Sequence, residues 1–133
     1  MIAVDSSSFI AYLEGDEGPD VQATGLALEH RQAILPPVVL SELLSDFRVS
    51  RAVKQLFGQL PLLDITDGYW ERAGLLRAQV LQRRWRARLA DTLIAQSCLD
   101  HDVELVTRDA DFRHFADIAG LRLFGRRTRR HPS

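Results

Sequence analysis

One cysteine and one lysine in 133 residues narrow the kinds of protein this chain can be. A lone Cys98 cannot close an intrachain disulfide, so the fold must rest on its core rather than on covalent staples. It lies in the apolar helical run Leu93-Ile94-Ala95-Gln96-Ser97-Cys98-Leu99, where a thiol reads as a small buried hydrophobe rather than a nucleophile. No run of about 18 apolar residues is present that could span a bilayer, and there is no repeat or low-complexity tract. The opening Met1-Ile2-Ala3-Val4-Asp5 lacks a basic n-region and meets a charge too early for a secretory h-region. The expectation is a soluble protein of the reducing cytoplasm. No histidine falls where a strand ends: His30, His101 and His114 lie near helix ends and His131 in the C-terminal tail, so all four read as surface or packing residues.

What is present has the balance of an ordinary globular chain, 46% hydrophobic and 26% charged, at a length suited to one domain of about 100 to 150 residues. The net charge of −1 hides a split: residues 1–50 carry eight acids against two arginines, residues 51–133 ten acids against fifteen basic residues. Such asymmetry points to a polyanionic partner. All of those fifteen except Lys54 are arginine, gathered as Arg83-Arg84-Trp85-Arg86-Ala87-Arg88 and Arg126-Arg127-Thr128-Arg129-Arg130, and the planar guanidinium fork matches phosphate. The second cluster reads as a basic, disordered tail at 126–133 behind a domain at 1–125. The first could be a solvated helix face, but it leads directly into Asp91, which makes Arg83, Arg84, Arg86 and Arg88 candidates for holding a phosphate backbone.

Strands and helices alternate along the chain. Ile2 to Val4 is a short buried strand, after which Ser6-Ser7-Ser8 offers N-cap hydroxyls to a helix through Phe9, Ile10, Tyr12 and Leu13. Asp20 is placed to cap a helix from Val21 to about His30, and Ala33 to Leu35 forms a strand closed by Pro36-Pro37. Leu40, Leu43, Leu44 and Phe47 fall at i, i+3, i+4 and i+7, one apolar helix stripe, with Glu42 off it. Val49 to Phe57 continues as a short helix ended by Gly58, and Leu60 to Ile65 is an edge strand because of Pro61. Asp67 is placed to cap a long helix through Tyr69, Trp70, Leu76 and Val80. A buried helix runs from Asp91 to about His101, and the strands Glu104–Thr107 and Leu121–Phe124 flank a short helix through Phe112 and Phe115. This alternation implies an α/β fold, a parallel sheet of about five strands flanked by helices.

Acids stand where strands give way to helices: Asp5 after Ile2-Ala3-Val4, Glu42 after the strand closed by Pro36-Pro37, Asp91 at a helix start, and Asp109, with Asp111 nearby, after Leu105-Val106-Thr107. Each alone could be a helix cap or a solvated residue. Together they point to one pocket, since parallel strands end on a common edge where such folds bind ligands. Two unit charges about 4 Å apart at an effective dielectric of about 20 interact by about 4 kcal/mol, so converging carboxylates call for a hard divalent cation or for protonation.

The stretches Val4-Asp5-Ser6-Ser7, Leu40-Ser41-Glu42-Leu43, Ala90-Asp91-Thr92-Leu93-Ile94-Ala95 and Leu105-Val106-Thr107-Arg108-Asp109-Ala110-Asp111-Phe112 resemble, in order and spacing, the successive motifs of PIN-domain ribonucleases, in particular VapC toxins of bacterial toxin–antitoxin pairs. The resemblance covers residues 2 to about 124. It implies a PIN-like fold, Mg²⁺ or Mn²⁺ as cofactor, and endonucleolytic cleavage of RNA by activated water. It also implies an antitoxin protein as partner and a homodimer. Asp5, Glu42, Asp91 and Asp109 map onto the acidic catalytic positions, with Asp5, Asp91 and Asp109 (or Asp111) at the metal and Ser6, Ser7 and Thr107 in support. Gln96 stands where a small residue is usual, and the arginine-rich approach to Asp91 lacks the Gly and Pro often seen there.

Other acid-pocket folds fit less well. A haloacid-dehalogenase-type phosphatase needs a second Asp where this chain has Ser7, and a receiver domain needs a late Lys, whereas Lys54 is the lone lysine. The rival from a different class is a catalytically silent module that binds RNA or a protein partner, its acids structural. The stretch from Val38 to Phe57 holds Leu40, Leu43, Leu44, Val49, Val53, Leu56 and Phe57, more apolar surface than one helix face needs, and is the expected dimer contact.

Overall fold

The structure is a computed structural model that describes residues 1–126. Of the basic tail expected at 126–133, only Arg126 is therefore described, and the reading of that tail as disordered lies outside the described residues.

The apolar opening of the chain becomes the centre of the sheet. β1 (Ile2–Val4) pairs in parallel with β2 (Ala33–Ile34) on one side and β3 (Leu105–Val106) on the other. Single parallel bridges from Leu35 to Leu62 and from Leu105 to Leu123 extend it by one residue on each flank. The five expected strands are thus three strands with a bridge at each edge. Pro61 keeps the Leu62 segment at the edge: its carbonyl accepts from the Leu35 N–H, but proline has no N–H of its own to give to a further ladder. Ala3, Val4, Leu105 and Val106 are fully buried, as expected of parallel strands covered on both faces.

Helices α1 (Ser6–Leu13), α2 (Pro19–Glu29), α3 (Pro37–Ser45), α4 (Arg51–Phe57), α5 (Tyr69–Gln82), α6 (Leu89–His101) and α7 (Arg113–Ala119) surround the sheet, with a 3-10 turn, Ala110–Phe112, before α7. The core joins Phe9, Leu35, Val39, Leu43, Phe57, Val80, Ile94, Phe112 and Phe115, with Phe9 and Phe57 meeting edge to face at 5.3 Å. α6 is buried along most of its length, and Cys98 in it is 1% exposed, the small hydrophobe that the sequence suggests. None of the described helices is long and apolar enough to cross a membrane.

Several expected caps are made by other residues. The serines after Asp5 lie inside α1, and Asp5 is itself at the N-cap position. Gly18, not Asp20, precedes α2, and Gly68, not Asp67, precedes α5. Gly68 has φ +81, a left-handed conformation that glycine adopts without a Cβ penalty. Ser50 does cap α4, accepting from the Val53 N–H at 3.2 Å. The stripe through Phe47 fails because α3 stops at Ser45: Asp46 Oδ1 takes the backbone N–H of Arg48 at 2.9 Å, and its carboxylate also takes the Arg48 guanidinium. Such a side-chain turn competes with helix continuation. Phe47 is left 91% exposed, and Leu44 is exposed as well.

α5 and α6 are tied by polar side chains. Arg72 donates to both oxygens of Asp100, at 3.0 and 2.7 Å, and Gln96 donates to one of them at 2.8 Å. Asp100 is held below the ordinary carboxylate range, chiefly by the Arg72 hydrogen bond. A depressed folded-state pKa contributes stability that is complete above the unfolded value of 3.8 and is lost as pH falls through the folded value. Arg72→Ala should therefore lower stability near neutrality, and progressively less as pH falls below the unfolded value of 3.8. Thermal melts across that range check it; an equal loss at both ends would contradict the assignment.

Candidate active site

The polarity of the sheet decides where the acids go. Asp5 follows the central strand, its backbone N–H still bonded to the Val106 carbonyl at 2.9 Å, and Thr107 follows β3 beside it. Asp5 is buried, at 4% exposure. Its Oδ2 accepts two hydroxyls, from Ser7 and from Thr107, each at 2.8 Å. Ser7 Oγ also takes the Arg108 N–H at 3.3 Å, and Thr107 Oγ1 takes the Asp109 N–H at 3.1 Å. The first turn of α1 and the loop after β3 are thereby stitched around one carboxylate.

Glu42 reaches the same edge from α3 and accepts from Ser6 Oγ at 3.1 Å. Asp91 lies in the first turn of α6, two residues inside the helix start, with Arg88 at the N-cap position. It is no cap, although the positive end of the helix dipole favours its charge there. Asp109 does cap, its Oδ1 accepting the Asp111 N–H at 2.9 Å. Asp111 supplies that N–H, whereas it is the charge of Asp109 that acts on Asp5 and Asp91.

The four acids lie close enough for their charges to act on one another. Burial first, then the charges of Asp109, Asp5 and Glu42, push Asp91 up to about 6, against a smaller opposing pull from Arg88. Burial likewise raises Asp5 and Glu42, partly offset by their hydroxyl donors, with Asp109 adding to the rise at Asp5 and Asp5 to that at Glu42. Among the described residues no three His, Cys, Asp or Glu side chains are gathered tightly enough to hold an ion as they stand. The acids are close enough to feel one another and too far apart to form a closed cage. A cleft of about 230 Å³ lined by Ile10, Leu13, Val49 and Val53 lies elsewhere.

Two features of this region were not read from the sequence. Arg108 turns away from the acids and donates to Asp20 at 2.8 and 3.1 Å, while Ser8 donates to the same carboxylate at 2.8 Å. This fastens α2 to α1 and to the loop after β3; a lone Arg within the Thr107-Arg108-Asp109 motif gives no local sign of it. Secondly, Trp85 stacks on His114 with centroids 4.8 Å apart and planes 23° from parallel, and Arg83 lies 5.3 Å from the Trp85 centroid. An aromatic within an arginine run was the available signal. Arg84 between them has φ +64, a left-handed conformation costing a non-glycine residue about 1 to 2 kcal/mol. Arg83, Arg84, Arg86 and Arg88 are all exposed, and of these Arg88 is the one whose charge acts on Asp91.

The PIN domain family model matches residues 2–118, and the chain belongs to that family. No curated protein matches it significantly. Solved structures share its fold. The VapBC2 complex of Rickettsia felis bound to a promoter DNA fragment superposes with a TM-score of 0.66 at 22% identity, covering 92% of this chain and 97% of that one. FitAcB from Neisseria gonorrhoeae gives 0.67 at 18% identity over 93% and 96%. VapBC-5 from Mycobacterium tuberculosis, of a toxin–antitoxin family, gives 0.61 at 20% identity over 92% and 95%.

A carboxylate whose folded pKa is raised binds protons that the unfolded chain does not hold, so lowering pH through the folded value stabilises the fold. With Asp91 at about 6 against 3.8 unfolded, metal-free protein should gain melting temperature between about pH 7.5 and about pH 5. Asp91→Asn should flatten that limb and raise stability near neutrality. A melting temperature that falls steadily over the window would overturn the assignment.

Proposed function

We propose that this chain is a metal-dependent endoribonuclease that acts as the toxin of a toxin–antitoxin pair. The observation that carries the proposal is the shared electrostatic site of Asp5, Glu42, Asp91 and Asp109 at the carboxyl edge of a PIN-family sheet. Complexes from toxin–antitoxin systems among the structures of like fold support the toxin role.

The donor set fits Mg²⁺ or Mn²⁺. All four acids offer hard oxygens, three of them are raised by burial and by one another, and Mg²⁺ keeps several waters and uses few protein carboxylates, which accords with an open arrangement. Asp5, Asp91 and Asp109 would hold the ion. When bound, it supplies Lewis acidity toward the phosphodiester and toward the attacking water. The residues do the rest. Ser7 and Thr107 fix Asp5 through one oxygen; Ser6 orients Glu42, whose raised pKa suits it to taking a proton from water. Arg88, with Arg83, Arg84 and Arg86 behind it, draws the RNA backbone toward Asp91. No side-chain nucleophile is needed, and Cys98 is buried with its thiol pushed well up.

Asp5→Asn and Asp91→Asn are expected to bring RNA cleavage to background while the fold persists, since each removes charge and keeps shape. Native protein should gain stability with Mn²⁺, by about 2.7 kcal/mol at a concentration 100 times Kd, seen as a higher melting temperature, and both variants should lose that gain. Retained cleavage in variants with lowered stability would make the acids structural rather than catalytic; a native chain that neither cleaves RNA nor gains stability from Mn²⁺ would be a silent binding module.

A homodimer completes the reading; Leu44, Phe47 and Leu56 are exposed and would make its contact, whereas Leu43 and Phe57 are committed to the core. Light scattering should give a dimer mass for the native chain and a monomer mass for Phe47→Ser. A native chain that is monomeric at micromolar concentration and above would contradict it.

A further inference from the structure

Phosphate attraction accounts for the four arginines but leaves the aromatic pair among them unexplained. Trp85 stands in the loop between α5 and α6, six residues before Asp91; His114 lies in the first turn of α7, five residues after Asp109. Their stacking, at 4.8 Å and 23°, joins the two segments that deliver Asp91 and Asp109 to the site. The stack is thus tethered to the chain segments that carry both acids, and Arg88, three residues after Trp85, acts by its charge on Asp91. Trp85 packs partly against the core, yet both it and His114 are only half-buried. The left-handed turn at Arg84 sets Arg83 over the indole, 5.3 Å from its centroid. A guanidinium, an indole and an imidazole thus form one aromatic and cationic ladder with exposed arginines on either side in sequence.

The outer faces of that ladder, the Arg83 guanidinium and the His114 imidazole with Trp85 between them, match a nucleobase with flanking phosphates. Aromatic faces and guanidinium planes stack on bases without regard to sequence, and proteins that follow single strands combine them with a basic groove. A base inside a duplex has both faces covered by its neighbours and cannot use the ladder. We propose that Arg83, Trp85 and His114 form a nucleobase subsite that holds an unpaired base of the RNA beside the acids, so that the strand is single at that position. This rests on the nuclease reading for its substrate, but binding at the subsite needs neither metal nor cleavage.

Trp70→Phe leaves Trp85 as the single tryptophan of the chain and makes its fluorescence a local reporter. In chelator-treated buffer this variant is titrated with a short single-stranded oligoribonucleotide, with the same strand annealed to its complement, and with the same strand carrying abasic riboses. The intact single strand should change the Trp85 emission and bind about tenfold tighter than the duplex or the abasic strand. Trp85→Leu should lose about tenfold in affinity, measured by anisotropy of a labelled strand, and Trp85→Tyr should recover most of it. Abasic RNA binding as tightly as intact RNA would overturn the proposal, and so would full affinity in a folded Trp85→Leu chain. Should Trp85→Leu fail to fold, the abasic comparison on the Trp70→Phe chain decides alone. Failure of the nuclease reading looks different: no cleavage with Mn²⁺, while preference for the intact single strand remains.

Discussion

Repulsion between carboxylates that a parallel sheet delivers to one edge is the constraint around which the rest of this molecule is arranged. β1 at the centre cannot end without placing Asp5 beside the exit of β3, and the helices that return to the same edge bring Glu42 and Asp91. Hydroxyls from Ser6, Ser7 and Thr107, the start of α6 and the charge of Arg88 each ease the charge, yet they do not cancel it. Asp91 stays close to neutrality in pKa because burial and its neighbours outweigh those aids. On the proposed function, a cation at that edge would relieve what the chain's own donors leave.

The periphery of the site is correspondingly rigid. Arg108 spends its guanidinium on Asp20, outside the pocket, where Ser8 meets the same carboxylate. An arginine one residue from Asp109 could have neutralised the acids directly; anchored to α2 instead, it holds the loop in place and leaves the negative field intact. Mobile acids would move apart, so a field of this strength persists only where the backbone that carries it is fixed.

The sequence showed where the strands end more clearly than how the helices begin. Ile2-Ala3-Val4 and Leu105-Val106 are short apolar runs closed by polar residues, so the positions of Asp5 and Asp109 followed from local pattern alone. Whether Asp109 or Asp111 faces the acids was not legible, because it turns on the 3-10 turn that spends the Asp111 N–H on Asp109. Ser8 and Asp20 look like helix caps in sequence; tertiary contact with Arg108 redirects them, and no local pattern reports a partner 88 residues away. Phe47 deceived for the opposite reason. Its spacing was helical, but the local Asp46–Arg48 turn ended the helix first. Trp85 and His114 are 29 positions apart by number, and their meeting depends on how α7 packs against α5 and α6.

The bond from Thr107 to Asp5 spans 102 positions, and that span sets a schedule. As the chain emerges during synthesis, β1 can pair with β2 after some 30 residues have appeared, but its other edge waits for β3. Contacts so distant in sequence form late, because the intervening loop must be closed before they give any return. Asp5 is thus present from the start without the hydroxyl and the neighbouring carboxylate that complete its surroundings. Through most of translation the surroundings of Asp5 stay incomplete at this edge, and they are finished in one late step, when β3 docks.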